Sequence, residues 1–122
     1  MTTVDDVRNY LNGLGESRVK TETIELALDM AKLSVNLEKS VNATNEMIDA
    51  AILYEAVYQS YLAYATEFER STGSVPAPML IHLGELKALA MRYLVYAQRA
   101  STAKTPVITS TDSIDTVSSF ED

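Results

Sequence analysis

The chain contains no cysteine. That absence removes disulfides, thiolate nucleophiles and Cys-ligated zinc together. Histidine occurs once, as His82, so no second imidazole or thiol exists to complete a metal site around it. The four glycines lie in loops or stand alone, as Gly84 does, and form no phosphate-cradling loop. Basic residues are scarce, at 10 against 17 acidic ones, for a net charge of −7. Up to residue 100 there are 9 basic and 13 acidic residues; beyond it there are 1 and 4. Neither part offers the basic footprint that supplies nonspecific affinity for nucleic acid, so tight wrapping around DNA is not expected. An acidic surface that lets DNA slide past without sticking fits the same charge.

Long apolar runs are also missing. The uncharged stretch Ala56 to Thr66 contains Gln59, Ser60 and several tyrosines and is too short to cross a bilayer. The opening MTTVDDVRNYL lacks the basic and apolar regions of a signal peptide. A soluble protein without a membrane segment is therefore expected. With 122 residues, 47% of them hydrophobic, the chain is long enough for one modest core.

What is present is helical spacing. Thr3 followed by Asp6 has the form of a cap, and Val4, Val7, Tyr10, Leu11 and Leu14 recur near helical period. A first helix is predicted over Val4 to Asn12, ended by Gly13 and Gly15. A second is predicted over Thr23 to Glu38, with one stripe of Ile24, Leu28, Ala31 and Val35 and another of Leu26, Met30, Leu33 and Leu37 beside it. Acids near its start and lysines near its end suit the helix dipole. Asn42 or Thr44 then supplies an N-cap. The third helix, Asn45 to about Ser71, has no Gly or Pro and carries four of the seven tyrosines.

At ~1.5 Å per residue the third helix spans roughly 40 Å, and it is apolar nearly all round. Its surplus apolar surface is expected to be covered by a neighbouring subunit. Gly73, taking positive φ, and the prolines of GSVPAP end it. A fourth helix is predicted over Met79 to Ala100, with Pro78 in its first turn and Leu80, Leu83, Leu86, Ala90, Leu94 and Ala97 in step. No strand-length alternation and no fixed repeat is seen in the body. The fold class is all-α: a small bundle of about four helices with one long central helix and a flexible C-terminal tail. Residues 1–100 form the helical domain.

Residues 101–122 are nearly half Ser and Thr. Alone they cannot bury enough apolar area to offset the entropy of ordering. Val107, Ile108, Ile114, Val117 and Phe120 are nevertheless spaced through them, so an incidental flexible terminus and a segment that orders on a partner stand as alternatives.

Candidate chemistry is sparse. His82, between Ile81 and Leu83, is read as structural. Glu46 and Asp49 lie three apart near a helix start, where the dipole explains them without catalysis. The Glu-x-x-His motifs of a carboxylate di-metal bundle are absent. No enzyme activity, metal or cofactor is expected. Tyrosine joins a large apolar body to a polar tip, which suits interfaces. Tyr54, Tyr58 and Tyr61 form one stripe expected to pack between the third and fourth helices. Tyr64 and Tyr96, on other faces, are candidates for self-association.

The order of these elements resembles the head–tail connector, or adaptor, proteins of tailed phages and related viruses. The resemblance rests on a short first helix introduced by TVDDVRNYL and an amphipathic helix TIELALDMAKLSVNLEK. The long Ala/Tyr-rich helix DAAILYEAVYQSYLAY, the break GSVPAP and a last helix leading into a polar tail complete it. It is a match of pattern over roughly residues 3 to 100, not of an invariant motif. It implies a non-enzymatic virion protein at the head–tail junction, present in the host cytoplasm during assembly. Copies would form a ring, commonly twelvefold, between the portal protein and the stopper or tail-completion protein, and DNA would pass through without specific binding. Val107, Ile108, Ile114, Val117 and Phe120 become candidate portal contacts. The competing expectation is a small regulatory bundle that binds a host protein.

Overall fold

A computed structural model describes residues 1–101, and four helices account for most of them. These are α1 (Val4–Gly13), α2 (Thr21–Glu38), α3 (Asn45–Thr72) and α4 (Ala77–Gln98). No strand occurs among the described residues. The all-α bundle read from helical period is what forms.

Several helix ends are explained by local chemistry. Asp6 N–H donates to Thr3 Oγ1 at 3.3 Å while Thr3 N–H donates to the Asp6 carboxylate at 2.9 Å, a reciprocal capping box. At the other end of α1, Gly15 has φ of 83°. Its N–H donates to Asn12 O at 3.0 Å, and Glu16 N–H to Leu11 O at 2.9 Å. That 6→1 and 5→2 pairing is a Schellman motif, and it needs a residue tolerant of positive φ. Arg8 then ties the connection down, donating to Ser17 O and Thr21 Oγ1, each at 3.2 Å.

Of the two caps considered for α3, Thr44 is used: Met47 N–H donates to its Oγ1 at 3.1 Å. Gly73, φ 94°, closes α3 with its N–H on Glu69 O at 2.7 Å. Helix α4 starts two residues before the expected Met79, because Pro76 at the cap and Pro78 inside the first turn need no N–H there. It stops earlier than expected, at Gln98. Ser40, in the turn between α2 and α3, donates its N–H to Ala97 O and its hydroxyl to Ala100 O, both at 2.8 Å, satisfying carbonyls that a further turn would have used.

Short turns make α2, α3 and α4 run up, down and up, so α2 and α4 are parallel and meet at their C-terminal ends. The long helix α3 lies at the centre, against α1, α2 and α4. Its Ala51, Ile52, Ala56, Val57, Tyr61 and Ala65 are all buried, with Val7 and Leu11 of α1 and Ile24, Leu28, Ala31 and Val35 of α2 closing on them. From α4 the core takes Met79, Leu86, Ala90 and Ala97. The first turn of α4 is thus one residue out of phase with expectation: Met79 turns inward and Leu80 is 56% exposed.

Candidate interaction surface

The first candidate is the aromatic set, because it joins elements far apart in sequence. Tyr54 of α3 stacks on Tyr93 of α4, with ring centroids 4.8 Å apart and 22° between planes. Tyr10 of α1 meets the same Tyr54 edge-on at 5.7 Å, and Tyr96 meets Tyr93 edge-on at 5.5 Å. Seven residues lower on α3, Tyr61 is buried and its hydroxyl lies 3.1 Å from His82 Nδ1. The imidazole stands edge-on to that phenol ring at 5.8 Å. Tyr54 and Tyr61 therefore pack within the chain, where sequence spacing put them.

Burial pushes the Tyr61 hydroxyl above the usual phenol range, and the nearby Glu16 carboxylate and Tyr64 push the same way. Tyr54 is raised by burial and then by Tyr10 and Tyr93. Tyr64 is raised by burial and by the Glu16 carboxylate, while Arg18, 5.8 Å from its ring centroid, opposes the shift. All three phenols are thus held neutral, as hydrogen-bonding groups without a tendency to ionise. The surface depressions near Met1 and Asp49 are not lined by Tyr61, His82 or Glu16. The Tyr61–His82 pair is a packing and hydrogen-bonding unit.

Glu46 and Asp49, the carboxylates singled out by spacing, lie at the start of α3. Asp49 faces the Met1 amino group at 3.3 Å. Glu67 pairs with Arg70 at 2.7 Å, with both side chains largely exposed. Among the described residues no group of three His, Cys, Asp or Glu side chains is arranged to hold a metal ion. Nor is any helix there long and apolar enough to cross a membrane.

The two tyrosines proposed for self-association differ. Tyr64 is half-buried, with Phe68 and Arg18 against its ring. Tyr96 is 51% exposed. The candidate partner contacts Val107, Ile108, Ile114, Val117 and Phe120 lie outside the described residues.

The expectation that α3 carries the surplus apolar surface is corrected by the fold. Three helices of its own chain cover it, and among its large apolar side chains Leu62, at 36%, is the most exposed. The uncovered area is on α2 and α4. Leu26, Met30, Leu33 and Leu37 of α2 are 62%, 59%, 63% and 77% exposed. They form a single row down the side of α2 turned away from the core. On α4, Leu80, Ile81 and Met91 are exposed and lie on the side facing away from α3. Sequence reading found the α2 row but placed it beside the core stripe; the α4 face it did not single out. The available signal was spacing, since Ile81, Gly84, Ala88, Met91 and Val95 alternate steps of three and four. Apolar side chains exposed singly are ordinary, but contiguous rows on two helices mark interaction surfaces.

No protein-family model matches the chain, nor does any curated protein or solved structure.

Proposed function

We propose that the chain is a structural virion subunit of the head–tail connector kind, assembling as a ring between a portal protein and a stopper or tail-completion protein. The observation that carries this reading is the pair of uncovered apolar rows on α2 and α4 of a bundle whose core is otherwise closed. A chain with two such faces can join two neighbours, and repeated joining closes a ring when the rotation per copy divides a full turn. The net charge of −7 supports a conduit that repels DNA instead of gripping it. The small helical bundle and its element order agree with the resemblance drawn from sequence. Tyr64 and Tyr96 remain proposed contributors to self-association, with Tyr96 offering the freer ring. Residues Val107, Ile108, Ile114, Val117 and Phe120 remain the proposed portal contacts, and the head–tail junction is the proposed location.

Electron microscopy of the purified chain mixed with its portal protein tests this. The expected image is a ring with a central hole seated on the portal. A discrete complex with a single host protein, and no ring with the portal, supports the regulatory-bundle reading and overturns the connector.

A further inference from the structure

The two uncovered rows differ in a complementary way. On α2 the row is bulky throughout, Leu26, Met30, Leu33 and Leu37. On α4 it is Ile81, Gly84, Ala88 and Met91, all exposed, running on to a half-buried Val95, with its two smallest side chains in the middle. A Cβ built on Gly84 meets nothing within 4 Å, so that part of the α4 surface is bare. Both rows alternate steps of three and four, the period of a seam between two helices that cross at a shallow angle. Their charges are opposite as well. Helix α2 has Glu22, Glu25, Asp29 and Glu38 against Lys32, a net of −3, while α4 has Lys87 and Arg92 against Glu85, a net of +1.

We propose that the outer row of α2 on one copy docks on the outer row of α4 on the next, with the two helices parallel. The proposal rests on the ring reading and supplies its interface. Pairing α2 with α2 would set bulky residues against bulky ones and bring two helices of charge −3 together. Pairing α4 with α4 would leave the space over Gly84 and Ala88 unfilled. Only the mixed pairing joins ridge to groove and acid to base, and a mixed pairing is heterologous, so it propagates. Since α2 and α4 are parallel within one copy, rotation about an axis along the bundle makes them parallel across the contact.

The register follows from the steps. Leu26 faces Gly84, Met30 faces Ala88, Leu33 faces Met91 and Leu37 faces Val95 of the next copy. Flanking positions then set Asp29 beside Arg92, an attractive pair, and Glu22 beside Glu85, a repulsive one.

The absence of native cysteine makes cross-linking a clean test. L33C and M91C are both on exposed positions, 63% and 58%, and leave the core untouched. Each variant alone, mildly oxidised in the presence of the portal protein, is expected to stay monomeric on a non-reducing gel. An equimolar mixture is expected to give a dimer, and the chain carrying both substitutions a ladder. E85K is expected to strengthen self-association about twofold by relieving the Glu22 repulsion. L33E is expected to abolish self-association with helix content unchanged. Dimerisation of L33C alone as readily as the mixture places α2 against α2 and overturns the proposal. An L33C and M91C mixture that still forms rings with the portal but stays unlinked overturns this interface and leaves the connector reading standing. Unlinked cysteines in a protein that stays monomeric with its portal overturn both.

Discussion

Replacing Tyr61 with Phe isolates what the hydroxyl on His82 contributes. Tyr61 is the largest of the fully buried side chains, at 1% exposure, and its ring stays in place in the variant. What is lost is one hydrogen bond, at 3.1 Å, to Nδ1 of His82. Such a bond contributes about 0.5–1.5 kcal/mol net, and more when the partner is left buried and unpaired. His82 is half-exposed, so water can reach the ring nitrogen and the loss stays within that range. For a domain of about 100 residues, 1 kcal/mol moves Tm by roughly 4–8 °C. A fall of that order in a far-UV circular dichroism melt is expected for Y61F. Tyr61→Ala removes the ring as well and is expected to cost about 3–5 kcal/mol, as aromatic truncations in cores do. Against a total stability of about 5–15 kcal/mol, that takes away a large part of the folded state. In a double-mutant cycle, Y61F and H82A are expected to couple by about 0.5–1.5 kcal/mol. Additive effects would refute the hydrogen bond as a stabilising unit. A Y61F protein that melts like wild type but no longer assembles would refute the structural assignment of His82.

Further outcomes are expected from other parts of the molecule. Thr3→Ala opens the capping box of α1 and should cost about 1 kcal/mol by thermal melt, since the Asp6 N–H loses its acceptor. Folding pushes the pKa of Tyr54, Tyr61 and Tyr64 above the ordinary phenol value, chiefly by burial, so it opposes their ionisation. Below the ordinary phenol value near 10 these groups are neutral folded and unfolded, so their contribution to stability is fully present. Above it the unfolded chain ionises first, so urea midpoints should fall as pH rises past 10, and fall less steeply in Tyr54→Phe. Truncation after Ser101 should leave Tm unchanged and weaken portal binding; a large drop in Tm would show that the removed residues pack on the bundle.

The fold was legible because its signals are local. Thr3 with Asp6, Thr44, Gly73 and the prolines after it each fix a boundary by a hydrogen bond made or prevented within a few residues. The misplaced ends have tertiary causes. The last carbonyls of α4 are taken by Ser40, nearly sixty residues earlier, and nothing near Gln98 in the sequence announces that. Likewise Arg8 reaches Thr21 from another helix, and α2 begins there, two residues ahead of the predicted Thr23.

The candidate site was harder to read, for a reason that belongs to helix geometry. At 3.6 residues per turn, Ile24, Leu28, Ala31 and Val35 centre on one side of α2, and Leu26, Met30, Leu33 and Leu37 centre about 160° away. A helix with two apolar sides has a weak amphipathic signal, because the rows cancel, and periodicity alone cannot say which faces inward. The smaller Ala27 and Ala31 decide it. They let α2 approach α3 closely on the core side, whereas the other row consists entirely of long side chains that no adjacent helix of the same chain accommodates. The same logic inverts the expectation for α3. Its all-round apolar character means a position at the centre of the bundle, and the surface left over from that arrangement falls on the helices that cover it. An outer helix that keeps Leu or Met at four successive turns of its solvent side carries a cost in solubility that a monomer does not need. In the proposed pairing the bare row of a second copy's α4 would cover that side.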